Sequence, residues 1–153
     1  MLDALKRLPT FSDVLQSLGL VCLFALVAAL FGRHLVDLSQ MPVFADVVRI
    51  AAIAFVIPAL AEEVVFRGLV IRRWTLWYAN ASVTLYVVWH PIEALTFFPS
   101  ARPVFFDPVF LLLVTLLGVL CTTAYFRSRS IWPSVIIHWL AVVAWKGLGG
   151  AIF

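Results

Sequence analysis

The sequence predicts an all-α protein, a polytopic bundle of about five transmembrane helices formed by residues 1–153 as one domain. Apolar residues make up 64% of the chain and charged residues only 12%, whereas soluble proteins contain roughly 45–50% and about 25%. The mean hydropathy is +1.08, and the apolar residues fall into runs of helix length. Because a small soluble domain leaves much of its surface in water, a lipid bilayer is the expected solvent.

The first two spans are expected at residues 14–31 and from about residue 43 to 78. Thr10 and Asp13 precede the first run and suit the cap of a helix. Pro58 lies inside the second run, where proline removes a backbone hydrogen bond and bends a helix. We therefore expect the second span to kink at Pro58 and then to continue through the following polar residues.

The other three spans are expected at residues 81–94, 108–125 and 130–147. Pro91 is expected to end the third span, which is then short for a full crossing. Asp107 followed by proline is typical of a helix N-terminus and predicts the start of the fourth span. These five segments complete the predicted bundle.

The basic residues lie in short clusters between the apolar runs, and the net charge is only +3. Cytoplasmic loops of membrane proteins are enriched in Lys and Arg. With a cytoplasmic N-terminus, the inner side holds Lys6, Arg7, Arg67, Arg72, Arg73, Arg127 and Arg129. Arg33 and Arg102 then fall in outer loops. No basic stripe interleaved with aromatic residues is present, so we expect no nucleic-acid partner.

Ionisable side chains within the apolar runs are the main functional signal, because such residues are costly in a membrane and usually functional. They are supplied by three separate segments and comprise Glu62, Glu63, Arg67, His90, Glu93, His138 and Lys146. Glu93 follows Pro91 and could face the site or only the membrane interface, and we favour the interface. The pattern predicts a constellation of polar side chains inside the bundle.

The stretch EEVVFRG, residues 62–68, places two glutamates and an arginine on one helix. Glu63 and Arg67 are four residues apart and share a helix face, so we expect them to pair. Glu62 is rotated by about 100° from its neighbour and would remain available as a general base. In the alternative interpretation, these charges lie at a helix end and only contact lipid headgroups.

Two histidines accompany the carboxylates, although a single histidine in an apolar helix is more often a core residue. Tyr86 and His90 begin and end the stretch YVVWH and share a helix face. His138 lies in SIWPSVIIHW, residues 130–139. In this order, EEVVFRG, YVVWH and SIWPSVIIHW resemble the three motifs of the CPBP intramembrane proteases, which include CAAX proteases and bacteriocin-processing enzymes. The second motif normally begins with phenylalanine instead of tyrosine.

The resemblance implies an intramembrane endopeptidase that cleaves a membrane-tethered protein or peptide, with its catalytic motifs within residues 58–146. By resemblance, Glu62 and His90 activate water and His138 stabilises the oxyanion. Glu63, Arg67 and Tyr86 then support the site, and no cofactor is needed. The short chain is similar to bacterial members, which implies the bacterial inner membrane.

One position departs from the family pattern. The third motif usually carries asparagine or aspartate four residues after its histidine, but Val142 stands there. The loss of an oxyanion donor costs about 10²–10³ in rate. Lys146 lies two turns beyond His138 on roughly the same side of the helix and is a candidate substitute donor.

Three alternatives remain open at this point. Glu62, His90 and His138 have the ligand types of a zinc site, which would make the protein a zinc-dependent protease. A non-catalytic family member that acts in bacteriocin immunity or binding would tolerate Val142. A small transporter or channel subunit would use the ionisable residues as a proton path, although no internal repeat supports it.

Overall fold

The computed structural model describes residues 2–150 as a bundle of helices. The α-helices are α1 (Leu2–Lys6), α2 (Phe11–Phe31), α3 (Phe44–Ala54), α4 (Ala61–Glu63), α5 (Leu76–Thr96), α6 (Arg102–Phe105), α7 (Pro108–Ser128) and α8 (Trp132–Gly147). Short 3-10 turns occur at Arg33–Leu35, Leu38–Gln40 and Pro99–Ala101. Within residues 2–150 no strand ladder forms, and an isolated antiparallel bridge joins Val36 to Gly150. The predicted all-α class is confirmed.

Side-chain caps set the first turns of α2 and α7, as the sequence predicts. Thr10 accepts the backbone N–H of Asp13 at 3.2 Å, and the Thr10 N–H donates to the Asp13 carboxylate at 2.9 Å. Asp107 accepts the N–H groups of Val109 and Phe110 at 2.8 and 3.0 Å. The Phe110 N–H also holds the pKa of Asp107 below its ordinary value. These bonds satisfy donors that have no partner inside the helix.

The second membrane segment, Phe44–Leu69, is interrupted where the sequence predicts. After α3 come wider π-helical turns at Phe55–Leu60 and Val64–Leu69, which flank α4. Ile57 has the extended backbone angles φ −133° and ψ 116°, because a proline disfavours the helical conformation of the residue before it. The predicted break at Pro58 is confirmed.

The predicted end of this second segment is wrong. Its last helical residue is Leu69 rather than about Tyr78, and α5 already begins at Leu76. The connection carries the buried Ile71, which belongs to the same core cluster as Tyr125 near the end of α7. Tertiary packing of this turn therefore ends the helix one residue after Gly68.

The predicted end of the third span is also wrong, since α5 passes through Pro91 and ends at Thr96. The helix has 21 residues and is long enough to cross a bilayer, which needs about 20. Proline removes one backbone hydrogen bond from a helix. Packing of α5 along α7 and α6 offsets that loss and keeps the helix continuous.

The helix α7 is central in the bundle, whereas α2 faces outward. α7 packs against α8, α5 and α2, and α8 also packs against α3. In the most apolar window of each helix, 56% of the α7 residues are buried but only 6% of the α2 residues. The exposed side chains of α2 include Leu15, Leu26 and Leu30. A continuous apolar surface of this kind suits contact with lipid.

Three segments within residues 2–150 are long and apolar enough to span a membrane: Phe11–Phe31, Phe44–Leu69 and Pro108–Ser128. The other two predicted spans correspond to α5, which carries more polar residues, and α8. With 16 residues, α8 is about 24 Å long, somewhat shorter than the hydrocarbon core of a bilayer. The chain is thus an integral membrane protein, and both of these helices pack on the central α7.

Candidate active site

A cavity of about 890 Å³ lies between α2, α3, α5, α7 and α8. Its walls are mostly apolar, and all three predicted catalytic residues reach it: Glu62, His90 and His138. Glu62 comes from the segment after the Pro58 break, and the histidines come from α5 and α8. The fold therefore brings residues that are far apart in sequence to one internal space.

Behind the cavity, Glu63 and Arg67 form the ion pair that their spacing predicts. Arg67 Nη1 lies 3.1 Å from Glu63 Oε1, and both side chains are fully buried. Arg67 Nη2 also donates to the carbonyl of Gly118 at 3.0 Å, and the guanidinium lies 4.6 Å from the centre of the Tyr86 ring. A buried charge needs such partners, because the loss of solvation is large.

The ion pair continues into a chain of side chains that ends at Tyr86. His138 Nδ1 lies 3.0 Å from Glu63 Oε1, and His138 Nε2 lies 3.3 Å from the Tyr86 hydroxyl. A carboxylate accepts hydrogen bonds, so Nδ1 of His138 donates to Glu63. In the neutral ring, Nε2 then accepts a hydrogen bond from the Tyr86 hydroxyl. Arg67, Glu63, His138 and Tyr86 thus form one network, which we call the buried network.

The second histidine, His90, is held in one tautomer by the backbone. Its Nδ1 lies 3.0 Å from the carbonyl oxygen of Tyr86, and a carbonyl can only accept. Nδ1 therefore carries the proton, and Nε2 of the neutral ring is left as a proton acceptor. Edge-on contacts with Phe105 and Phe110, at 5.4 and 5.6 Å between ring centres, hold the imidazole in place.

Glu62 differs from its neighbour because its carboxyl group lies at the cavity wall and not in the buried network. Its Oε2 atom is buried and has no hydrogen-bond partner within residues 2–150. Glu93 and the indole of Trp89 lie near this carboxyl group. Glu93 lines the cavity, so its expected position at the membrane interface is wrong. Two carboxyl groups therefore border one apolar space.

The residues of α8 on the same cavity wall include His138, Val142 and Lys146. The valine places methyl groups where family members usually have an asparagine or aspartate. The lysine is half-buried, and its Nζ lies 5.8 Å from the ring centre of Trp145. A cationic group is thus present on the wall that lacks the usual amide or carboxyl group.

No three His, Cys, Asp or Glu side chains within residues 2–150 come close enough together to hold a metal ion. Both ring nitrogens of His138 already have protein partners, namely Glu63 and Tyr86. A zinc site made of Glu62, His90 and His138 would require His138 Nε2 to give up its bond with the Tyr86 hydroxyl. Zinc-dependent cleavage is still an alternative, and an assay of cleavage with and without a zinc chelator tests it.

Two features of the site escape sequence reasoning. The sequence predicts Tyr86 as a supporting residue on the face of His90, but its contacts with His138 and Arg67 are seen only in the structure. The second feature is Gly118, where an added Cβ would lie 3.1 Å from Tyr86 Cδ1. That closeness also lets the Gly118 carbonyl reach the arginine. Only the fold shows that Tyr86 belongs to the buried network and that Gly118 contacts it.

The fold and the site define a helical membrane protein whose carboxylates and histidines converge inside the bundle. The profile of the type II CAAX prenyl endopeptidase Rce1-like family matches residues 44–144, more than half of the 153-residue chain. The chain belongs to this family, which consists of CAAX-type membrane proteases. The matched segment contains all three motifs, and the resemblance seen in the sequence is confirmed. No curated protein and no solved structure matches the chain.

Proposed function

We propose that this protein is an intramembrane endopeptidase that hydrolyses a peptide bond of a membrane-tethered protein or peptide. The observation that carries the proposal is the separation of two adjacent glutamates. Glu63 is bound within the buried network, whereas Glu62 reaches the cavity together with His90. Membership of a CAAX protease family supports the same reaction.

In the proposed reaction, Glu62 and His90 orient a water molecule towards the scissile carbonyl. Glu62 takes one proton from the water while Nε2 of His90 accepts a hydrogen bond from its other O–H group. The water oxygen bonds to the carbonyl carbon, and the carbonyl π electrons move to the oxygen. Glu62 then delivers its proton to the amide nitrogen as the C–N bond breaks, which releases an amine and a carboxylic acid.

The negative charge on the carbonyl oxygen needs donors on the facing wall. We assign this role to His138 and Lys146, which line the cavity on either side of Val142. His138 can donate there only when Nε2 carries a proton and this N–H leaves the Tyr86 hydroxyl for the carbonyl oxygen. The buried network supports this step by keeping the negative charge of Glu63 next to the ring.

The substrate is proposed to be a lipid-tethered or membrane-embedded segment, because the cavity wall is mostly apolar. The family description names prenylated CAAX proteins. A sorting signal or a bacteriocin-like peptide in a membrane has the same physical requirements. The proposed location is the bacterial inner membrane with a cytoplasmic N-terminus, since that orientation places most basic residues inside.

Val142 favours a second candidate function, that of a non-catalytic binding protein in the same family. Such a protein would need the apolar cavity but not the complete set of oxyanion donors. It would bind a membrane peptide without cleaving it, and replacement of Glu62 would leave this binding intact. A cleavage assay therefore separates the two functions.

The proposal is tested by cleavage of membrane-tethered peptides in reconstituted vesicles. Wild-type protein and the Glu62→Ala variant are compared, each with and without a strong zinc chelator. We expect cleavage by the wild type that survives the chelator and is lost in the variant. Chelator-sensitive cleavage would establish the zinc alternative. Binding without cleavage by folded wild-type protein across a broad peptide set would identify a non-catalytic protein.

A further inference from the structure

A second cavity, of about 500 Å³, lies between α1, the turn after Leu69 and the end of α7. It shares no lining residue with the catalytic cavity. Three arginines line it, Arg7, Arg72 and Arg129, against a single acidic residue, Asp3. None of these residues has a role in the proposed hydrolysis. We call this space the arginine pocket.

The side chains of the arginine pocket have the chemistry of a phosphate-binding site. A guanidinium group offers several N–H donors in a plane and binds phosphate oxygens through two of them at once. Arginines from three separate segments converge here, and one carboxylate cannot neutralise three cations. The pocket therefore carries a net positive charge, and an anionic ligand would balance it.

Arg129 is held at the edge of the pocket by its own backbone and by an aromatic ring. Its backbone is in the left-handed conformation, with φ 59° and ψ 17°, and its N–H donates to the carbonyl of Tyr125. The guanidinium lies 3.7 Å from the centre of the Trp74 ring, a contact that orients the charge. Little side-chain freedom would be lost when this arginine binds a ligand.

The short helix α1 is fixed to the bundle, which places Arg7 at the pocket. The N–H of Ile131 donates to the carbonyl of Ala4 at 3.1 Å, and the indole of Trp132 donates to the carbonyl of Leu5 at 2.9 Å. The hydroxyl of Ser130 donates to the carbonyl of Arg7 itself. The first residues are thus part of the pocket wall and not a free tail.

The surroundings indicate a lipid. The pocket lies where α7 ends and the chain turns into α8, and Trp74 and Tyr125 line it. Tryptophan and tyrosine are enriched at membrane surfaces, at the level of the headgroups. Basic pockets at this depth bind the headgroups of anionic lipids. We propose that the arginine pocket binds the phosphate-bearing headgroup of an anionic membrane lipid.

The neighbouring basic residues provide a matched control. Lys6 and Arg73 each adjoin a pocket arginine in sequence, are exposed, and do not line the pocket. The variant Arg72→Gln/Arg129→Gln removes two charges from the pocket. The control Lys6→Gln/Arg73→Gln removes two charges from the same membrane face. A general attraction to anionic bilayers would be reduced equally by both changes.

The experiment measures lipid binding to the full chain in nanodiscs of phosphatidylcholine to which phosphatidylglycerol is added. We expect the added lipid to raise the Tm of the wild type and of the control variant. In the pocket variant, we expect the affinity to fall by about tenfold or more, since each lost bond to a charged group contributes substantially. Equal losses in both double variants, or an unchanged affinity in the pocket variant, would overturn the proposal.

Two further arms complete the test. Inorganic phosphate is added to the protein in phosphatidylcholine nanodiscs. A rise in Tm with phosphate but not with phosphatidylglycerol would assign the pocket to a soluble phosphate and overturn the lipid proposal. If the double pocket variant does not fold, the single Arg7→Gln variant replaces it. Because this variant also removes one of the three pocket arginines, a loss of lipid binding is expected, and unchanged binding would contradict the proposal.

Discussion

Glu62 and Glu63 are neighbours in the chain, yet they belong to two different regions of the molecule. Glu63 lies in the buried network, with Arg67 and His138 on its Oε1 atom. Glu62 lies on the wall of the catalytic cavity, which Glu63 does not line. Because neighbouring residues are rotated by about 100° around a helix, the Glu63 carboxylate lies in the buried network while the Glu62 carboxylate faces the cavity.

The two glutamates of EEVVFRG therefore have separate roles, Glu63 in the buried network and Glu62 on the cavity wall. The buried network holds the ion pair of Glu63 and Arg67 away from the cavity. Arg67 also bonds the carbonyl of Gly118 and so joins its own segment to α7. The cavity wall presents proton acceptors to a substrate. Changes to the cavity wall should reduce cleavage without loss of stability, whereas changes to the buried network should reduce stability.

A large effect on cleavage is expected for His90→Ala. This change removes the imidazole that orients the attacking water, and loss of a group that assists proton transfer costs about 10²–10⁴ in rate. The matched control is His34→Ala, because His34 is an exposed histidine that does not line the cavity. The cleavage rate in vesicles is the measurement, and equal rates for the two variants would remove His90 from the mechanism.

The largest effect on stability is expected for Arg67→Met. This change leaves Glu63 buried without its cationic partner, and breaking a buried pair costs about 3–5 kcal/mol. Arg73→Met serves as the control, since Arg73 is exposed. Thermal unfolding in detergent is measured for both variants. A Tm for Arg67→Met as high as that of the control would show that the ion pair does not stabilise the bundle.

Val142→Asn is expected to add a hydrogen-bond donor to the cavity wall. The amide restores the donor that family members usually carry, and we expect the cleavage rate to rise by about tenfold. Val143→Asn is the control, because the next residue does not line the cavity. A wild-type rate in Val142→Asn would indicate that Lys146 already supplies the donor.

The smallest effect is expected for Tyr86→Phe, which converts the second motif to the usual family form. The change removes the hydrogen bond to His138 and keeps the ring beneath Arg67. Loss of one such bond costs about 1 kcal/mol, so a few-fold decrease in cleavage rate is expected. Tyr78→Phe controls for the loss of a hydroxyl elsewhere. An increase in rate would show that the hydroxyl restrains His138.

The sequence predicts the fold correctly where contacts between neighbouring residues determine the helix starts and breaks. Thr10 and Asp107 mark helix starts because their side chains bond the nearest backbone donors. Pro58 marks a break for a similarly local reason. The end at Leu69 and the passage of α5 through Pro91 depend on packing against α7. Packing between distant segments leaves no pattern in one sequence.

The candidate site divides in the same way. Helical spacing predicts the pair of Glu63 and Arg67, since both lie on one helix. The bond from Tyr86 to His138 joins two helices, and no spacing rule connects them. Glu93 is placed wrongly because a proline before a carboxylate suggests a helix end. The catalytic roles of Glu62, His90 and His138 remain predictions.

The most direct test of the central claim compares Glu62→Gln with Glu63→Gln, with cleavage rate and Tm measured on each purified protein. Both changes remove one carboxylate and keep the size of the side chain. We predict that Glu62→Gln abolishes cleavage with a Tm within about 2 °C of the wild type, whereas Glu63→Gln lowers the Tm by many degrees. Full cleavage by Glu62→Gln, or equal loss of Tm in both variants, would contradict the division between cavity wall and buried network.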